Sequence, residues 1–307
     1  MSTLITGVNG MIGFAVASQL ALKTQSVIGL DISLPTGLKD DGVQLIEANL
    51  LNFSLLDDIF SSSKIDTVVH SGGISGPMLY PDDPRKIFDI NIAGTLNIAE
   101  LARKHSVKRL IFLSSFVTYG NQKGISQVKE NTRQRGTNPY AASKIAGETI
   151  IRSYSNEHNI EAISLRLGAV YGPRRTTDCM VRSFLHHAIS QEPLKLSFGK
   201  NWSRPYVFLD DIVSAICLSL ETPSSSLTQD AYNIAGGIWP SLSELANMVA
   251  QITGFQEIFL KDGRTPHDYL IGPLSLEAAA RDLKYIPSYS IERGISNYYE
   301  WLKNNDF

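Results

Sequence analysis

A chain of 307 residues with 43% hydrophobic content is long enough to bury a large core, in one domain or in two interleaved ones. With 28 Lys and Arg against 30 Asp and Glu, the formal charge of -2 excludes the basic surplus that a phosphate backbone requires, and no nucleic-acid partner is expected. The two cysteines, Cys179 and Cys217, stand far apart and in no CxxC pair, which excludes a disulfide framework and a zinc knuckle and fits a reducing cytoplasm.

The apolar run 11–22 follows a glycine turn, has no basic leader and is interrupted by Ser18 and Gln19, so it does not read as a signal peptide. No stretch approaches the ~20 apolar residues of a membrane-spanning helix, and no membrane partner is expected. Residues 3–6, 26–31, 43–48, 67–70, 109–114 and 162–168 read as strands, with helical patterns between them. Short apolar strands separated by longer amphipathic segments predict an α/β fold, a doubly wound parallel sheet of Rossmann type covered on both faces. After Gly172 the rhythm is irregular, although 204–209 and 231–235 still read as strands, and Ser241 with Glu244 reads as a capping box. The expected arrangement is a main domain of residues 1–170 and 205–235, with residues 171–204 and 236–307 forming a smaller interleaved C-terminal substrate lobe.

The segment Gly7, Val8, Asn9, Gly10, Met11, Ile12 and Gly13 lies directly after the first strand and before the helical run 14–22. Glycine there lets the backbone turn tightly and approach a pyrophosphate, while the helix N-terminus offers free N–H groups and a positive dipole. Three spaced glycines alone also fit an ordinary tight turn; their place in the first βα unit favours dinucleotide binding. The next strand ends at Asp31, 18 residues beyond Gly13. A carboxylate there accepts hydrogen bonds from the adenosine ribose hydroxyls and repels a 2′-phosphate, and Ile32, Ser33 and Leu34 bring no cation to offset that, so NAD is expected over NADP. The alternative is that Asp31 starts a turn.

Asn138 suits an N-cap and Pro139 the first helical position, which sets Tyr140 and Lys144 one turn apart on one helix face. A free tyrosine titrates near ~10 and needs a nearby ammonium to favour its phenolate at neutral pH; Lys144 can supply that field. Ahead of them Ser114 and Ser115 close a strand, where a hydroxyl faces the crevice at the carboxyl edge of the sheet and Ser115 can hydrogen-bond a reacting oxygen. A lone Tyr-xxx-Lys pair often lies on a solvated face; here three elements fall in the right order in one chain.

Together the glycine segment, the serine strand leading to Tyr119 and Gly120, the Tyr140 and Lys144 pair, and the run from Arg166 through Tyr171, Gly172 and Pro173 resemble the extended short-chain dehydrogenase/reductases over essentially the whole chain. That family includes nucleotide-sugar 4-epimerases, 4,6-dehydratases and decarboxylases, and dehydrogenases of free sugars and sugar acids. The resemblance implies NAD as cofactor, Tyr140 as catalytic base or acid, Lys144 holding the nicotinamide ribose and depressing the Tyr140 pKa, and Ser115 orienting the substrate hydroxyl. It implies that Asn91, expected to open a helix over 91–105, supports this group, and that Ser71, Gly72 and Gly73 line the cofactor. Asn49, followed by Leu50, stands where an acidic residue often meets adenine.

Dehydratases of the family carry an acidic pair directly after the serine or threonine, where this chain has Phe116 and Val117, so elimination is disfavoured. A nucleotide-sugar 4-epimerase is the leading expectation, with a dehydrogenase of a free sugar or sugar acid as the alternative and a non-catalytic NAD-binding scaffold as the third. Arg204 and Arg264 resemble the family's two diphosphate-binding arginines, and guanidinium forks pair bidentately with phosphate oxygens. Ala169, the segment 199–203 and the glycine-rich run holding Ser75 depart from the nucleotide-sugar pattern and leave room for a sugar acid held by the same arginines with Arg174 or Arg175. His186 and His187 point in different directions on one helix, and no metal is expected. The aromatic run 298–301 reads as a terminal helix docking on the core. Apolar Leu96, Leu101, Ile145, Ile150 and Ile151 on more than one side of two helices predict a homodimer.

Overall fold

The computed structural model describes residues 2–23, 26–38, 42–76, 78–264 and 269–305. Strand β1 (Ser2–Thr6) leads through the glycine turn into helix α1 (Met11–Leu22), and β2 (Ser26–Asp31) and β3 (Val43–Glu47) follow. The side chain of Asn52 accepts the Leu55 N–H and opens α2 (Phe53–Ser62), which precedes β4 (Thr67–His70). Asp83 and Pro84 then supply an N-cap and a first-turn proline, so the next helix starts earlier than the expected Asn91. It runs as α3 (Pro84–Phe88), passes through a π turn at Asp89–Ala93 and continues as α4 (Gly94–Lys104). Asn91 therefore lies inside a helix, on a wide turn of the kind that re-aims side chains at functional sites.

Beyond it come β5 (Arg109–Ser115), a 3-10 turn at Phe116–Tyr119, α5 (Pro139–His158) and β6 (Glu161–Leu167). Asn138 caps α5 by accepting the Ala141 N–H, and Pro139 occupies the first helical turn, as their order predicts. The second half holds β7 (Ala169–Tyr171), α6 (Met180–Ser190), β8 (Leu194–Leu196), β9 (Tyr206–Phe208), α7 (Leu209–Glu221), β10 (Ala231–Ile234), α8 (Leu242–Thr253), β11 (Ile258–Leu260) and α9 (Ile291–Lys303). The capping box at Ser241 and Glu244 opens α8 with both reciprocal bonds in place. Among the described residues no helix is long and apolar enough to cross a membrane.

Seven strands form one sheet in the order β10-β6-β5-β4-β1-β2-β3, every neighbouring pair parallel, which is the doubly wound arrangement. The chain moves outward from β1 to β3, returns to β4 on the other side of β1, and continues from there toward β10. The reversal between β1 and β4 opens a crevice at their carboxyl ends, beside Gly7 and Ser71. The 204–209 run, expected to be a strand, contributes the three residues of β9, and these pair with β7 instead of the main sheet. The switch is made at one peptide. The Gly168 N–H donates to the Ile234 carbonyl at 2.8 Å, while the Ala169 N–H donates to the Pro205 carbonyl at 2.7 Å. A Cβ on Gly168 would lie 2.2 Å from the Pro205 oxygen, so this crossing requires glycine.

Apolar strands need cover on both faces. Val16 and Leu20 of α1 pack with Ile212 and Ile216 of α7 on one side, and Leu56, Ile98, Leu101 and Ile151 from α2, α4 and α5 on the other. Leu101 and Ile151, expected on an exposed stripe, thus belong to the core; Leu96 stays 44% exposed, and Ile145 and Ile150 are half-buried. A third core joins Phe184 of α6, Leu245 of α8 and Tyr298 of α9, so the terminal helix docks its aromatic face as its sequence predicts.

Candidate active site

The glycine loop is built by close approach. Gly7 has a φ of 72°, and a Cβ on it would come 2.7 Å from the Gly72 Cα; one on Gly13 would come 2.2 Å from the Gly7 oxygen. Gly10 caps α1 with no side-chain bond, so the first-turn N–H groups are left to an anion. Asp31 accepts the Asn9 N–H at 2.9 Å and the Ile32 N–H at 2.7 Å, which fixes its carboxylate at the end of β2, while Asn9 Nδ2 reaches Ser33 Oγ at 3.1 Å. Met11 and Ile12, the first residues of α1, pack partly buried against the core. On the facing strand Ser71 Oγ donates to the Thr6 carbonyl at 2.5 Å and the Gly72 N–H to Thr6 Oγ1 at 2.9 Å. Leu50 lies against Gly72 and Gly94, and Asn49 accepts the Leu51 N–H at 2.9 Å. A cradle that side chains would fill, an uncapped helix N-terminus and a carboxylate beyond it fit a dinucleotide.

Beneath the cradle lies the residue that opens the His70 to Gly73 segment, whose partners no local pattern reveals. His70 is fully buried, with Nδ1 2.7 Å from Thr6 Oγ1 and Nε2 3.0 Å from Thr95 Oγ1. Thr95 gives its hydroxyl hydrogen to the Asn91 carbonyl at 2.6 Å, so it must accept from His70 Nε2–H, and Nδ1 then accepts from Thr6. The neutral ring locks Thr6, and through it Gly72. Burial, reinforced by the Lys144 charge, pushes its pKa down to about 3. Because the folded pKa lies below the unfolded one, its contribution to stability is complete above about pH 6.5 and is lost as pH falls toward 3. Between pH 7 and pH 5 the protein should lose about 2 kcal/mol through this group. Urea unfolding of the native chain and His70→Gln at both pH values checks this: the variant's pH slope should be flatter, and parallel slopes would count against it.

Asn91 reaches in two directions. Its Oδ1 accepts the Ile74 N–H at 2.7 Å, and its Nδ2 donates to the Ile74 carbonyl at 3.1 Å and to Ser143 Oγ at 2.9 Å. Ser143 in turn donates to the Tyr140 carbonyl, so the π turn anchors both the 71–76 loop and the first turn of α5. A Cβ on Gly73, at φ 140°, would press to 2.7 Å from Asn91 Oδ1.

On α5, Tyr140 and Lys144 are both buried, as is the nearby Ser115, whose hydroxyl draws the Tyr140 pKa down. Burial pushes the Tyr140 pKa up to about 12, against the opposing pull of Ser115. Lys144 Nζ donates to the Leu113 carbonyl at 2.9 Å and lies 5.9 Å from the Tyr140 ring centre; burial brings its pKa down to about 8 while Glu148 opposes that fall. The depression of Tyr140 by Lys144 expected from their spacing is therefore not developed in this arrangement. Phe116 and Val117, next to Ser115, are buried and apolar.

A cleft of about 460 Å³ is lined by Trp202, Arg264, Tyr269 and neighbours. Arg264 is exposed on its wall, and the Arg204 guanidinium stacks 3.6 Å from the Trp202 ring centre and acts electrostatically on Tyr269. Asp211 accepts from Ser288 and Tyr289, and Asp262 accepts from Asn201. Asp268 lies outside the described residues. Arg175 is anchored on the carbonyls of Val170, Thr177 and Asp178 and acts on Tyr140, whereas Arg174 stacks on Phe14 of α1, on the cofactor side. Ser75 is exposed on the 71–76 loop.

Tyr269 was not legible as a site residue. It accepts a hydrogen bond from Asn138, the cap of α5, packs edge-on to Phe116 and couples to Tyr140. It thus joins the cleft to α5 across 131 residues of chain.

A family model for the NAD dependent epimerase/dehydratase family matches residues 3–235. The UDP-glucuronate 4-epimerase of Thermodesulfobacterium geofontis is 26% identical over 319 residues, covering 98% of this chain and 96% of that protein. The solved UDP-glucose 4-epimerase of Thermus thermophilus, a complex with NAD, is 25% identical with a TM-score of 0.88, covering 99% of each chain. The Thermotoga maritima UDP-glucose 4-epimerase shares the fold with a TM-score of 0.92 at 24% identity over 99% of each chain. With a doubly wound sheet, a glycine cradle at its switch point and a family match spanning most of its length, this chain belongs to the NAD-dependent epimerase/dehydratase family.

Proposed function

We propose that this protein is a nucleotide-sugar 4-epimerase. The observation that carries the reading is the buried group of Ser115 at the end of β5 with Tyr140 and Lys144 on α5, a helix that Tyr269 links to an arginine-bearing cleft. Bound NAD supplies a hydride acceptor that can also return the hydride. Tyr140 takes the proton from the sugar hydroxyl and later gives it back, and Ser115 holds the same oxygen in line. A Lys144 ammonium drawn closer to the phenol than in this structure would favour the phenolate. Buried apolar Phe116 and Val117 place no acid or base beside the sugar, so chemistry stops at one secondary alcohol. Arg204 and Arg264 hold the diphosphate, Ser75 binds the substrate, and the UDP-sugar 4-epimerases resembled by this chain support the substrate class.

One observation favours a second reading. Arg175, fixed by three carbonyls and exerting its charge on Tyr140, suits a carboxylate on the sugar, as a sugar-acid dehydrogenase requires. Incubation with UDP-glucose, UDP-glucuronate and free sugar acids, followed by NMR of the sugar and NADH absorbance, separates the two. Interconversion at C4 without net NADH is expected; NADH accumulating with a free sugar acid would reverse the order.

We further propose that it works in the cytoplasm, where Cys179 and Cys217 stay reduced, as a homodimer through α4 and α5 around exposed Leu96. Light scattering should give a dimer mass that falls to the monomer in Leu96→Asp; a monomeric native protein would remove this part of the reading.

A further inference from the structure

The anion site on α1 carries little charge of its own. The loop from Gly7 to Gly13 contains no charged side chain, and a helix N-terminus supplies only about half a positive charge toward a pyrophosphate bearing two negative ones. A cation is nevertheless parked beside it. Phe14, directly after Gly13 in the first turn of α1, donates its N–H to the Gly10 carbonyl at 2.9 Å. Helical side chains lean toward the N-terminus, so the ring covers the turn that holds the first free N–H groups. The Arg174 guanidinium carbon lies 3.8 Å from the centre of that ring. This is well inside the ~6 Å range of a cation–π contact.

The backbone at Arg174 is independently unusual. It follows Gly172, at φ 143°, and Pro173, and itself adopts a φ of 63°, a conformation that glycine takes freely and L side chains rarely adopt. Such residues persist where the surroundings enforce them, and they cluster at ligand clamps. Arg174 also sits between β7 and α6, on the segment that carries the chain from the catalytic strands toward the cleft. Partial burial lowers its pKa, a cost that an adjacent anion would offset.

We infer that Arg174, stacked on Phe14, is a lip of the cofactor site that grips the NAD pyrophosphate from the side opposite the glycine backbone. The inference rests on NAD lying across the glycine loop and is independent of which sugar is turned over. In an epimerase such a clamp retains the cofactor through repeated hydride exchange.

Arg174→Gly tests it, because glycine accepts the same backbone and leaves the fold unstrained. Calorimetric titration of the full chain with NAD, ADP-ribose and adenosine should show NAD and ADP-ribose binding about tenfold more weakly, as loss of one charge-assisted contact predicts. Adenosine, which lacks the pyrophosphate, should bind unchanged, the salt dependence of NAD binding should flatten, and Tm should not fall. Unchanged NAD affinity, or an equal loss for adenosine, would overturn the inference.

Discussion

Tyr140→Phe is expected to lower turnover by at least ~100-fold while leaving NAD affinity nearly unchanged, because the ring still fills its buried place and only the proton carrier is lost. The magnitude follows from the electrostatics of the site. A phenol pushed up to about 12 is ionised in roughly one molecule in 10⁵ at pH 7, a deficit of about 7 kcal/mol against a base poised at neutrality. An ammonium brought to ~4 Å in a medium of effective dielectric ~20 contributes about 4 kcal/mol toward this. The pull of Ser115 is already contained in the raised value, so the approach of the Lys144 ammonium is what further favours the phenolate. Steady-state kinetics with a UDP-sugar and calorimetric NAD binding check the prediction; near-normal turnover would remove Tyr140 as the base.

Glu148→Leu should destabilise the protein by about 3–5 kcal/mol. Arg166 donates to the Glu148 carboxylate with Nε and with Nη2 at 2.7 Å, and the two side chains are 6% and 5% exposed. Removing the acid leaves a buried guanidinium without its counter-charge. The same carboxylate accepts from Ser114 at 2.5 Å and from Gln134 at 2.8 Å, so it holds α5 to the end of β5 next to Ser115. Urea unfolding should show the loss, and Glu148→Leu with Arg166→Leu should recover part of it, since no lone charge is then buried. A single variant within about 1 kcal/mol of the native protein would show that water or another acid takes over the pairing.

Glu148 also shows where local reading runs short. It stands one turn beyond Lys144 on the same helix face, yet an acidic residue at that spacing looks like any solvated helix charge. Only the sheet behind α5 turns it into a buried partner of Arg166. Two residues of the apolar stripe were misplaced for the same reason, since Leu101 and Ile151 face the core and not solvent. His70 lay on a strand expected to be apolar, and nothing local revealed that Thr6 and Thr95 would meet its two nitrogens.

What the sequence determined by itself was whatever rests on local periodicity and local chemistry. Apolar strands alternating with amphipathic helices dictated a doubly wound sheet, because a parallel sheet must be covered on both faces. The glycines of the first βα turn, the carboxylate ending β2, and the Tyr140 and Lys144 pair behind an N-cap and a proline are each encoded within a few residues. Tertiary structure alone decided what depends on contacts between distant segments. It turned the chain at Gly168 from β10 to β9, brought Tyr269 onto Asn138, and sent Arg174 to the cofactor side on Phe14. A side chain's partner across the fold is set by the closure of many loops at once, and no spacing along the chain records it.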